Sequence, residues 1–176
     1  MGIRLLIDGY NLMFQSVTTK QGLEGKNALR AARWRMLQML LELIDEPMLD
    51  QTMIVFDANA APPGLPDKYQ HRGMQIVFAR DWDSADELIQ MEIRKHPTPK
   101  LLTVVSSDHA IHRKALARGA TVLDSESWFD VQLHQREMRE REASLHELHG
   151  IEQENDSKQR ELTDQEKRSW LEEFGF

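Results

Sequence analysis

The chain has 176 residues, a formal net charge of −7, 40% hydrophobic residues and no cysteine. These values suit one domain with an appendage and exclude a disulfide framework or a thiolate metal site. No run approaches the ~20 apolar residues of a membrane span, and the short opening run lacks a signal-peptide cleavage site. A cytoplasmic protein with no membrane partner is expected.

The acidity argues against a polyanionic partner, but it is unevenly spread. Residues 134–176 hold twelve acids and seven bases, and residues 1–133 hold seventeen and fifteen. If four of the latter acids form a metal site, the rest of the globular part carries +2, so a polyanionic substrate is not excluded.

Ile3 to Ile7 is an apolar run fit for a buried parallel strand, and it ends in Asp8-Gly9-Tyr10-Asn11. Taken alone, Asp-Gly is ordinary turn punctuation. A loop is expected from Leu12 to Gly25, then an amphipathic helix over 27–45, capped by Asn27 and stopped by Pro47. Leu29, Ala32, Met36, Leu37, Leu40, Leu41 and Ile44 form its apolar face, with Arg30, Arg33 and Arg35 mostly elsewhere. Met53 to Phe56 repeats the strand pattern and ends in Asp57. Ala58 to Gly73, with Pro62, Pro63, Gly64 and Pro66, reads as a loop.

A third strand is expected at 75–79, then a helix from Ala85 to Lys95 with Asp86 in its first turn. Leu101 to Val105 is the fourth strand and exits through Ser106-Ser107-Asp108. A short helix, a fifth strand at 120–123 and a helix capped by Ser125 complete the β-α alternation of a parallel sheet with helices on both faces. From His134 to Arg160 the chain is nearly all polar, a solvated helix or a linker. Thr163-x-x-Glu166 then reads as a capping box opening a terminal helix with Trp170, Leu171 and Phe174. That helix needs a surface, whether on its own domain, a second copy or another protein. Domains of 1–133 and 134–176 are expected.

Asp8, Asp57 and Asp108 thus follow strands, and Asp86 opens a helix at the same edge. Parallel strands place their carboxyl ends together, where ligands bind in open α/β sheets. Carboxylates gathered there repel unless a cation compensates, and oxygen ligands without His or Cys suit Mg²⁺ or Mn²⁺. Such an ion binds phosphates and acidifies water, the chemistry of phosphodiester hydrolysis. Singly, Asp86 reads as a helix-dipole acid and Asp108 as an N-cap. Asn11 and Ser106 would orient a carboxylate or a water, or serve as turn residues. Asp83 and Glu87 would line the helix start.

Together, Asp8-Gly9-Tyr10-Asn11, Phe56-Asp57, Ala85-Asp86-Glu87 and Ser107-Asp108 resemble the NYN domain, in particular the YacP-like branch of the PIN-like nucleases, over about residues 1–133. The resemblance implies a PIN-like three-layer α/β sandwich with strand order 3-2-1-4-5. It also implies a Mg²⁺- or Mn²⁺-dependent endoribonuclease, with some relatives acting at the ribosome. Asp8, Asp57, Asp86 and Asp108 would be its metal-site acids and Asn11 and Ser106 auxiliaries.

Weaker RNA-contact candidates flank strand three: Lys68, Tyr69, His71, Arg72 and Arg80. Lys20, Lys26, Arg30 and Arg33 form a second basic rim. Each set also reads as solvated surface. Three alternatives stand beside this reading. One is a catalytically inactive RNA- or ribosome-binding module of the same fold. Another is an aspartyl-nucleophile phosphatase, opposed by Tyr10 where a second acid would stand. The third is an adaptor whose working part is the C-terminal helix.

Overall fold

The computed structural model describes residues 2–15, 28–58 and 66–174, with side chains to His146 and again at Lys158 and 166–169. Its elements run β1 (Leu5–Asp8), α1 (Gly9–Gln15), α2 (Ala28–Leu43), α3 (Glu46–Leu49), β2 (Thr52–Phe56), β3 (Lys68–His71) and β4 (Met74–Phe78). Then follow α4 (Ala85–Lys95), a 3₁₀ turn (Pro99–Leu101), β5 (Thr103–Val105), α5 (His109–Ala117), β6 (Thr121–Leu123) and α6 (Ser125–Phe174).

The sheet order is β3-β4-β2-β1-β5-β6. Five strands are parallel in the expected 3-2-1-4-5 arrangement, and β3 is added antiparallel at one edge, against β4. The loop expected across Ala58–Gly73 therefore contains a strand. Arg72 and Gly73 turn the chain with φ of 47° and 93°, both left-handed, as a two-residue hairpin requires.

Two apolar layers hold the sheet. Leu5, Ile7, Ile54, Phe56, Ile76 and Phe78 pack on one face with Met36, Leu40 and Leu43 of α2 and Trp128 and Phe129 of α6. Leu6, Val55 and Val104 pack on the other with Leu88 and Ile89 of α4 and Ile111 and Ala115 of α5. Each fully buried aliphatic or aromatic side chain contributes about 1.5–3 kcal/mol relative to exposure, and the central strands consist of little else.

Three expectations are corrected. Gly9–Gln15 is helical where a loop was expected from Leu12, and the rest of that stretch, residues 16–25, lies outside the described residues. Asp124, not Ser125, caps α6: its Oδ1 accepts from the Glu126 and Ser127 amides at 2.9 and 3.3 Å. No break separates a terminal helix from the polar stretch, since α6 continues through Gly150, Asn155 and Thr163. The chain divides into two compact units, Met1–His134 and Gln135–Phe176. Lys20, Lys26, Asn27 and Pro62 to Gly64 lie outside the described residues, as do the side chains of Trp170, Leu171 and Phe174. Among the described residues, no helix is long and apolar enough to cross a membrane.

Candidate metal centre at the carboxyl edge of the sheet

Alternation along β1 decides where Asp8 points. Leu6 packs on the α4–α5 side, and Asp8, two residues on, shares its parity. The Asp8 side chain is only 5% exposed. Its Oδ1 accepts the Asn11 backbone N–H at 3.0 Å, and its Oδ2 accepts the Ser106 hydroxyl at 3.1 Å. Burial raises the Asp8 pKa, those two hydrogen bonds oppose the shift, and the nearby Asp86 charge adds to it.

Ser106 is fully buried just past β5, the strand beside β1. Its Oγ also accepts the Asp108 N–H at 3.1 Å. A His112 ring nitrogen meets its carbonyl oxygen, holding the segment from both sides. Asp108 is the N-cap of α5, its Oδ1 accepting from the Ala110 and Ile111 amides.

Asp86 lies in the first turn of α4, whose N-cap is Ser84, accepting from Glu87 N–H at 3.3 Å. Burial raises its pKa, and the charges of Asp108 and Asp57 push it further. Glu87 instead accepts the Asp83 amide at 3.2 Å, the helix-start role, and both side chains are exposed.

A cleft of about 350 Å³ opens at this edge, lined by Asp8, Tyr10, Asn11, Phe14, Asp57, Ala85 and Asp86. Asp108 is not in its lining but acts on Asp86 electrostatically. The structure thus brings Asp8, Asn11, Asp57 and Asp86 to one cleft, with Ser106 and Asp108 bonded behind. Among the described residues, no three His, Cys, Asp or Glu stand close enough to form a ready-made chelate. The donor set nevertheless fits a hard dication. Mg²⁺ commonly rests on one or two carboxylates and keeps several waters, and a cation would relieve the repulsion that lifts Asp86.

The basic candidates separate. Lys68 starts β3 opposite Val77, near the carboxyl end of β4, and Arg80 lies just beyond β4, paired with Asp67 at 2.9 Å. Arg72 is at the other end of that hairpin, beside Glu46, Leu49 and Asp50, on the edge away from the acids. Tyr69 is half-buried and stacked on Phe78, with centroids 6.3 Å apart. His71 meets the Trp34 ring edge-on and Gln38 Nε2 at 3.3 Å, and burial lowers its pKa.

Arg33, expected on a basic rim, is 4% exposed. Its guanidinium lies 5.4 and 5.1 Å from the Phe56 and Phe78 ring centroids. Cation–π attraction lets a charge enter an aromatic layer, and helical periodicity carries no signal for it. Tyr10, at the cleft, has a hydroxyl buried without a hydrogen-bond partner among the described residues. Burial raises its pKa, opposed by Arg33 and aided by Asp57. Sequence reasoning also misses Phe14, which falls in the stretch expected to be a loop.

A mostly parallel sheet covered by helices on both faces in this strand order is a PIN-like fold, shared with the structural neighbours. The chain belongs to the YacP-like NYN domain family, whose model matches residues 5–174 and so extends beyond the four aspartates into the polar helix. The crystal structure of Rae1 (YacP) from Bacillus subtilis is similar with a TM-score of 0.58 and 21% identity, covering 99% of this chain and 96% of that one. The structure of a tryptophan-to-leucine point mutant of that protein gives 0.57 and 22%, covering 81% and 79%. No curated protein matches the chain. The family implies a nuclease role.

Proposed function

We propose that the chain is a Mg²⁺- or Mn²⁺-dependent endoribonuclease that hydrolyses RNA phosphodiester bonds. The observation that carries this reading is a buried Asp8, fixed by Asn11 and Ser106 in a cleft that also presents Asp57 and Asp86. When bound, the ion would supply Lewis acidity, neutralising phosphate charge and acidifying water. Asp8, Asp57 and Asp86 would hold it, directly or through water, with Asp108 adding charge from behind. The two hydrogen bonds on Asp8 favour its ionised form and fix the directions of its oxygens. Lys68 and Arg80, at the same edge, would meet flanking phosphates.

In the same reading, residues 1–133 are the catalytic domain and 134–176 a helical extension that docks on its own domain, a second copy or another protein. The substrate is a cytoplasmic RNA, with the ribosome the partner that the family resemblance implies. The experiment is cleavage of single-stranded RNA with Mn²⁺ by the wild type and Asp8→Asn, alongside calorimetric titration with Mn²⁺. Cleavage and metal binding that Asp8→Asn abolishes are expected. Equal cleavage by both proteins would remove the proposal.

A further inference from the structure

Among the described residues, those that line the acidic cleft include no cation. A bound metal, Lys68 and Arg80 would act on phosphates, so a base brought to this cleft needs its own source of affinity.

Phe14 supplies one. It stands in the cleft lining 47% exposed, although Leu12 and Met13, its neighbours in α1, are 0% and 1% exposed. A single exposed phenylalanine is ordinary on a protein surface. This one is backed by a column of rings. Tyr10, one helical turn earlier, stacks behind it with centroids 6.0 Å apart and 24° between planes. Tyr10 meets Phe56 edge-on at 5.2 Å, and Phe56 stacks on Phe78 at 5.7 Å. The Arg33 guanidinium bears on the last two rings. A ring held this way needs little ordering when a flat ligand arrives.

We propose that Phe14 is the stacking platform for an unpaired nucleobase of RNA held in the acidic cleft, an inference that rests on the endoribonuclease reading. A phenyl face has no hydrogen-bonding group, so it accepts any base and distinguishes unpaired from paired ones. Single-stranded RNA is therefore the substrate form, with base identity read weakly at this position.

The test is binding of a single-stranded RNA carrying 2-aminopurine, whose fluorescence is quenched by stacking. It is measured on the full chain in an Asp8→Asn background with Phe14, Phe14→Trp, Phe14→Leu and Phe14→Ala. Quenching is expected with Phe and Trp and lost with Leu and Ala, with affinity about tenfold weaker or more for the last two. Steady-state cleavage with Asp8 intact is the second measurement: Phe14→Ala should raise KM while kcat changes little, and an abasic substrate should abolish the difference. Wild-type cleavage with unchanged quenching and KM in all four proteins overturns the stacking role alone. No cleavage and no RNA binding by the wild type overturns the nuclease reading and this inference with it.

Discussion

Ser106 and Asp8, 98 residues apart in sequence, share a buried 3.1 Å hydrogen bond in which the serine hydroxyl donates to carboxylate Oδ2. The serine oxygen in turn accepts the Asp108 amide at 3.1 Å, so one hydroxyl ties the exit of β1 to the start of α5. Ser106→Ala removes both bonds and leaves a buried carboxylate with one partner fewer. The expected loss is about 1–3 kcal/mol, read from urea unfolding. The lost bond also lets the Asp8 pKa climb further, because the Ser106 interaction opposes its rise. The acid limb of the pH–rate profile should shift to higher pH.

Gly9 follows Asp8 for a steric reason. Its φ is not positive, unlike those of Gly73 and Gly119. A Cβ at Gly9 would stand 2.5–2.8 Å from three Phe56 ring atoms. That ring cannot easily yield, since it is fully buried against Tyr10, Phe78 and Arg33. Gly9→Ala should cost about 1–3 kcal/mol as overpacking. Phe56→Leu should recover part of the loss, so a double-mutant cycle on thermal or urea melts should return a favourable coupling.

What was legible in the sequence tracks how strongly burial dictates residue type. β1, β2 and β5 are largely buried apolar runs, and the strand order that the family resemblance implied placed Asp8 between its neighbours. β3 was not legible. Lys68 and Gln70 are exposed and Tyr69 and His71 half-buried, which leaves no apolar run, and the turn that pairs it is Arg-Gly without the usual Asn or Asp. Arg33 escapes sequence reasoning because a charged residue on a helix is assigned to solvent unless its aromatic partners are known, and these come from β2 and β4. Of the candidate site, Asp8, Asp57 and Asp108 were readable as strand-end acids and Asp86 as a first-turn helix acid. The aromatic column behind Phe14 was not, since it depends on contacts among α1, β2 and β4.

Asp108 does two things that substitution can separate. As N-cap it accepts two amides of α5, and as a charge it acts on Asp86. Asp108→Ala removes both and should cost about 1 kcal/mol through the cap. Asp108→Asn keeps a capping oxygen and loses the charge. Its melting temperature should stay near wild type, while calorimetry should show weaker Mn²⁺ affinity. Equal Mn²⁺ affinity in Asp108→Asn and wild type would confine Asp108 to the cap.

Asp86, alongside Asp8, makes metal-free stability depend on pH. Its folded pKa lies above the ordinary 3.8 because of burial, Asp108 and Asp57, in that order. A carboxyl raised in this way favours the folded state fully below the unfolded pKa. The contribution is lost as pH rises through the folded value, since ionisation is then harder in the folded chain. Near pH 7 the ionised Asp86 is therefore a liability that Asp86→Asn removes. The variant should melt above metal-free wild type there, by at most about 4 °C given the partial exposure of the group, and the gap should close near pH 3. Excess Mn²⁺ should reverse the order, because the wild type gains a ligand-linked increment that the variant largely loses. Thermal melts at the two pH values, with and without Mn²⁺, check all three signs. A variant that gains as much from Mn²⁺ as the wild type would take Asp86 out of the metal site.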